Sequence, residues 1–142
     1  MEYKCTNQPF LLMMQTSKAI QERIRDEMLN YKLSVTEFSV LEVHFLQGKQ
    51  NIQQIGNRIL ISSGSMTYVI DKLEKRGLLS RNDCPEDRRI IHVTLTDDGF
   101  QLMKEIMPKH QELVDHIFHS LGDKEAETIV SLLKKVQSRV KG

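Results

Sequence analysis

A chain of 142 residues with 39% hydrophobic and 27% charged side chains has room for one folded domain with a real core, with or without a helical extension. No apolar run approaches the roughly 18 residues of a membrane span. The opening MEYKCTNQPF has no basic segment leading into an apolar one, so neither membrane nor export is expected and the cytoplasm is the default address. A formal net charge of +1 means the chain as a whole is no polycation, and Cys5 and Cys84 are too few and too far apart for a disulfide framework or a zinc finger.

Residues 9–31 read as a long amphipathic helix. Pro9 suits its first turn, and Phe10, Met13, Met14, Ile20, Ile24, Met28 and Tyr31 recur near a helical period. Residues 34–37, Ser-Val-Thr-Glu, form a capping box. It opens a second helix carrying Phe38, Leu41, Val43, Phe45 and Leu46, which Gly48 ends. Residues 51–54, Asn-Ile-Gln-Gln, repeat the device for a short third helix through Leu60, with Ile52, Ile55 and Ile59 inward. Ser62 and Ser63 are then expected to cap a fourth helix with a narrow apolar stripe of Met66, Val69, Ile70 and Leu73, ended by Gly77 after Lys75 and Arg76. A short helix, a tight turn and a second helix of this length make a helix-turn-helix.

Residues 78–82 and 90–96 read as two strands, the second alternating Ile91, Val93 and Leu95 with His92 and Thr94. Residues 83–89 connect them as a charged loop, so the pair forms a β-hairpin wing. Thr96, Asp97 and Asp98 cap a long helix to about residue 120, which Pro108 should kink. Gly122 breaks the chain, and Asp123 is expected to cap a last helix with Ile129, Val130, Leu133, Val136 and Val140 on one face.

The chemistry concentrates between residues 49 and 92. Lys49, Arg58, Lys72, Lys75, Arg76, Arg81, Arg88 and Arg89 there outnumber Asp71, Glu74, Asp83, Glu86 and Asp87, a small excess that suits a polyanionic partner. With the apolar stripe of the fourth helix inward, Ser63, Gly64, Ser65, Tyr68 and Lys72 remain outside and Thr67 lies at the margin. Small residues at a helix start let the backbone approach base edges. Serine hydroxyls donate or accept there, and the helix N-terminus favours phosphate. The same positions also fit a merely solvated helix face.

Two stretches, SSGSMTYVIDKLEKRGLL at 62–79 and CPEDRRIIHVTLTDDG at 84–99, resemble the recognition helix and wing signature of the MarR family of bacterial transcription regulators, and the resemblance runs over nearly the whole chain. It implies a mainly α fold with a small β-hairpin wing. In this reading residues 1–142 form a single domain, a winged helix-turn-helix at 34–99 flanked by dimerisation helices at 1–33 and 100–142. It also implies a homodimer on a pseudo-palindromic double-stranded operator, with half-sites about one helical turn apart. At the wing tip, Asp87 and Arg89, with Arg88 beside them, match the family's aspartate that holds an arginine in the minor groove. The DNA-binding set expected is therefore Ser63, Gly64, Ser65, Thr67, Tyr68, Lys72, Asp87, Arg88 and Arg89.

The resemblance further implies control by a small molecule, most often repression relieved by a phenolic, quinone-like or other lipophilic compound. No motif marks its pocket. Phe38, Phe45, Met103 and Met107 are pocket-wall or plain core residues. The wing and recognition helix look most like quinone-responsive members. The alternative is a thiol sensor of oxidants or electrophiles using Cys5, whose thiol pKa Lys4 could lower. Peroxide sensors of the family carry their cysteine where Pro9 or Phe10 stands here. Cys84, at the start of the wing loop, is a second candidate. A metal-responsive regulator would draw on His110, Glu112, His116 and His119, which are too few for a closed site. No cofactor, metal or catalytic residue is expected: no nucleophile elbow, phosphate loop or HExxH motif is present. A winged helix that has lost DNA binding would lack Arg88 and Arg89 or carry an acidic recognition helix, and neither holds here.

Overall fold

The computed structural model describes residues 7–59, 63–87 and 89–141. Among them are six helices and three strands: α1 (Gln8–Leu29), α2 (Val35–Gln47), β1 (Gln50–Asn51), α3 (Ile52–Arg58), α4 (Ser63–Lys75), β2 (Leu79–Asp83), β3 (Ile91–Leu95), α5 (Asp97–Ile117) and α6 (Asp123–Lys141). The fold is thus mainly helical with a small antiparallel sheet, as the residue pattern predicted. No described helix is long and apolar enough to cross a membrane. The chain divides into two compact units, Met1–Lys104 and Glu105–Gly142.

In the first unit the caps form where the side chains offer them. Asn7 accepts the Phe10 N–H at 2.9 Å, with Pro9 in the first turn of α1. Both capping boxes close. Ser34 Oγ accepts the Glu37 N–H at 3.0 Å while Glu37 accepts the Ser34 N–H at 2.9 Å. Asn51 and Gln54 exchange the same pair at 2.8 and 2.9 Å. Helix α4 ends as expected at Gly77, which has φ +75°. The Gly77 N–H donates to Glu74 O and the Leu78 N–H to Leu73 O, a Schellman ending that satisfies the last carbonyls. Helix α1 ends the same way on Lys32, a non-glycine at φ +55°, with Leu33 donating to Met28 O and Lys32 to Leu29 O. The Arg76 guanidinium joins the two endings, donating to Lys32 O at 2.7 Å and Tyr31 O at 3.2 Å.

Helices α2, α3 and α4 pack on one another and on the sheet. Met28, Leu41, Ile55, Met66, Ile70, Leu73, Leu79 and Val93 are fully or almost fully buried at the centre. The sheet has the order β1-β3-β2, all antiparallel, with Arg81 opposite Val93 and Asn82 opposite His92. Sequence reading missed β1. Its two residues, Gln50 and Asn51, pair with Val93 and His92, and a two-residue polar strand has no alternation to betray it. Gly99, just inside α5, lies so close to the β2 approach that a Cβ there would overlap the Leu78 carbonyl oxygen. Thr96 fixes this junction: its Oγ1 donates to Gly77 O at 2.6 Å and accepts the Gly99 N–H at 3.0 Å.

Helix α5 runs through Pro108 without interruption and stops at Ile117, three residues short of the expected end. In the second unit the cap of α6 falls on Gly122 rather than Asp123: the Ala126 N–H donates to Gly122 O, and Glu125 reaches back to accept the Gly122 N–H at 3.0 Å. A carboxylate three residues on substitutes here for a capping side chain. None of the residues of α6 is buried.

Candidate nucleic-acid interface

The apolar stripe of α4 fixes which face of the helix looks out. With Met66, Ile70 and Leu73 wholly buried and Val69 nearly so, Ser65, Thr67, Tyr68 and Lys72 all lie exposed. Tyr68 keeps 64% of its surface open. The Lys72 ammonium sits 5.6 Å from the centre of the Tyr68 ring, so a cation and an aromatic edge are presented together one turn apart. Ser63 and Gly64 form the first turn of α4; their side chains lie outside what the structure describes. Ser62, expected as a cap, is outside the described residues, as are Ile61, Cys5 and Arg88.

At the wing tip Asp87 holds Arg89 through both backbone and side chain. Its Oδ1 accepts the Arg89 N–H at 2.9 Å and the Arg89 Nε–H at 3.3 Å, with Nη2 at 3.5 Å from Oδ2. These bonds, the backbone one foremost, hold the Asp87 carboxyl below the usual carboxylate range. The arginine side chain remains 92% exposed: one edge of the guanidinium is aimed by the aspartate and the rest is offered to solvent. The loop is closed behind it by Cys84 N–H to Ile90 O at 3.0 Å and Ile90 N–H to Asp87 O at 3.1 Å. The Cys84 thiol is buried at the neck of this loop, which shields it from reagents.

The structure also brings in a residue that sequence reading only counted as a charge. Arg81 in β2 forms ion pairs with Asp71 at 2.5 Å and Glu74 at 3.0 Å, both on α4. Its own backbone N–H donates to the other oxygen of Glu74 at 3.0 Å. The signal was present as two carboxylates three residues apart, followed after a Gly turn by an arginine, but only the turn geometry makes them meet.

His44, which carries no motif in the sequence, has a partner within its own helix. It is 2% exposed on α2, and Nδ1 lies 2.8 Å from Val40 O, so Nδ1 must carry the proton it donates. Nε2 is buried without a hydrogen bond of good geometry, and although the Val93 backbone lies near, burial dominates and pushes the pKa below the ordinary 6.5. Phe38 and Met103 are buried, and the Phe45 ring packs 5.4 Å from that of Phe100. His116 and His119 are exposed and His110 is buried. Among the described residues no group of three or more His, Cys, Asp or Glu is arranged to hold a metal ion.

The sequence model of the MarR family matches residues 33–91, the span from the end of α1 to the wing. The HTH-type transcriptional regulator MhqR of Bacillus subtilis is 37% identical over 127 residues, covering 89% of this chain and 88% of MhqR. Among solved structures, Bordetella bronchiseptica BpsR, whose DNA binding is regulated by 6-hydroxynicotinic acid, superposes with a TM-score of 0.82 at 28% identity, covering 92% of this chain and 99% of BpsR. A MarR variant from E. coli complexed with operator DNA shares the fold, with a TM-score of 0.81 at 21% identity over 94% of this chain and 99% of the other.

Proposed function

The chain belongs to the MarR family of DNA-binding transcriptional regulators, not to an enzyme family, and from that premise we propose that it is a homodimeric repressor released by a small aromatic effector. In this reading α4 enters the major groove. Ser63, Gly64 and Ser65 at its start meet base edges, and Tyr68, Lys72 and Thr67 meet bases or phosphates. The wing places Arg89, with Arg88 beside it, in the adjacent minor groove, where narrow A·T-rich sequence concentrates negative potential.

The observation that carries this is the Asp87–Arg89 arrangement. A carboxylate near DNA is unfavourable unless it has work to do, and here it accepts both the backbone N–H and the guanidinium of an arginine left 92% exposed. An arginine pre-aimed in this way loses less freedom on binding than a free one. The exposed apolar side chains of α1 (Phe10, Leu12, Met14) and α6 (Ile129, Leu133, Val136) support subunit contact, since exposed apolar surface of this extent seeks cover. For the effector class, support comes from BpsR, whose DNA binding is regulated by the hydroxylated aromatic acid 6-hydroxynicotinic acid. A phenol, quinone or hydroxylated aromatic acid is the class proposed.

The test is a gel shift on the chain's own upstream DNA at two salt concentrations, with and without a panel of phenols, quinones and aromatic acids. A shift that weakens with salt and is reversed by one of these compounds is expected. No salt-sensitive shift would end the proposal. Arg89→Ala should weaken binding about tenfold and lower the salt slope by about one, with the largest loss at A·T-rich flanks.

A further inference from the structure

We propose that Arg81 is a positioning residue for sequence-specific DNA binding: it locks the recognition helix α4 to strand β2 in the rotation that points Ser65, Tyr68 and Lys72 outward. The inference rests on the DNA-reading role proposed for α4 and goes beyond it. Arg81 stands opposite Val93 in the β2–β3 ladder. Directly opposed residues share a face of a sheet, and Val93 is wholly buried, so Arg81 projects toward the helical side. Its side chain keeps only 21% of its surface open. There it meets Asp71 at 2.5 Å and Glu74 at 3.0 Å, and reaches to 3.5 Å from the Thr67 carbonyl. The second oxygen of Glu74 takes the Arg81 backbone N–H, so Glu74 is held from both ends of one residue.

Thr67, Asp71 and Glu74 lie at intervals of four and three, so they form one row along α4. At about 100° per residue this row flanks the row of Ser65, Tyr68 and Lys72 on one side, while the core stripe bounds that row on the other. A helix held by its apolar stripe alone can roll by some degrees, because hydrophobic contact is non-directional. Directed ion pairs on one flank remove that freedom, and a planar guanidinium whose Nη1 meets both carboxylates while Nη2 reaches the Thr67 carbonyl is stiffer in this role than an ammonium on a flexible stem. Asp71 and Glu74 are moreover the acidic residues of a helix that should approach phosphates, where uncommitted carboxylates repel. Their presence there is explained if they serve geometry.

This gives an experiment in which electrostatics and positioning have opposite signs. Asp71→Asn/Glu74→Gln removes two negative charges from the recognition helix. If the pair were merely solvated charge, the full-length variant would bind its upstream DNA and a scrambled duplex of equal length more tightly by the same factor. If it positions α4, binding to the scrambled duplex rises while binding to the upstream site falls, so that the ratio of the two affinities drops about tenfold. Arg81→Lys, which keeps the charge but loses the planar group whose Nη1 meets both carboxylates while Nη2 reaches the Thr67 carbonyl, should leave scrambled-duplex binding within about twofold and weaken upstream binding about fivefold. Thermal unfolding of each variant reports that it is folded. An affinity ratio unchanged in both variants removes the role of Arg81 while leaving the regulator reading intact. A wild-type chain that does not distinguish the two duplexes takes down that reading and this inference together.

Discussion

Helices α4 and α6 carry apolar residues at the same spacing and meet opposite fates. Met66, Ile70 and Leu73 of α4 are wholly buried, whereas Ile129, Leu133 and Val136 of α6 stay 36%, 43% and 46% exposed. Both sets stand at positions i, i+4 and i+7, the pattern of one helical face. Periodicity therefore announces that a face will be covered, and says nothing of what covers it. For α4 the cover is inside the chain, from α2, α3 and β2. For α6 the proposed cover is a second subunit.

The comparison breaks or stands on one pair of substitutions. Leu133→Glu should place a carboxylate in the subunit contact, where an unpaired charge costs several kcal/mol. We expect dissociation to monomers and, because two half-sites must be held together, a fall of at least about a hundredfold in operator affinity. The monomers should still melt cooperatively. Light scattering and the gel shift measure both. An unchanged oligomer would show that the α6 stripe has some other cover. Leu73→Ala makes the corresponding change in α4, and there the expected loss is about 2–5 kcal/mol of unfolding free energy, read by denaturant melts, with the oligomeric state of the folded protein unaltered.

A smaller effect separates the two regions by pH. His44 belongs to the same core as α4, and its folded-state pKa lies below 6.5 because burial disfavours the imidazolium. The unfolded chain then binds the extra proton more readily, so stability rises with pH. The contribution of neutral His44 is complete above pH 6.5 and is lost as pH falls from there toward the folded-state value. Melting temperatures of the wild type should drop between pH 7.5 and 5.5, and His44→Gln should flatten that dependence. An equal slope in the variant would assign the pH effect elsewhere.

These contrasts also show what was legible before the structure. Caps and stripes were, because each is written in residues three or four positions apart: Ser34 with Glu37, Asn51 with Gln54, and Met66 to Leu73 all behave as their spacing predicts. The Asp87–Arg89 bond is equally local. What escaped depends on the chain turning back on itself. Arg81 finds Asp71 and Glu74 only because Gly77 reverses the path between them, and Arg76 finds the carbonyls of Tyr31 and Lys32 across more than forty positions of sequence. Strand β1 escaped because two polar residues contain no period. The cap of α6 shifted by one residue because Glu125 could serve from inside the helix, leaving Gly122 at the cap.

The smallest expected effect tests how firmly the body around α4 is set. Lys32 occupies the left-handed region at φ +55°, where a side chain costs about 1–2 kcal/mol and glycine nothing. Glycine also raises the entropy of the unfolded chain by an amount that offsets part of that gain. Lys32→Gly should therefore stabilise the protein by only about 0.5 kcal/mol. Arg76 donates to backbone carbonyls there, so the tie between α1 and α4 survives the change. Gly77→Ala, at φ +75°, reverses the exchange and should destabilise by about 1 kcal/mol. Both changes lie in the unit that contains α4, so denaturant midpoints should move in opposite directions while subunit association stays constant. If either substitution altered the monomer–dimer equilibrium instead, cover for α4 and cover for α6 would be one event, and the distinction between the two helices would dissolve.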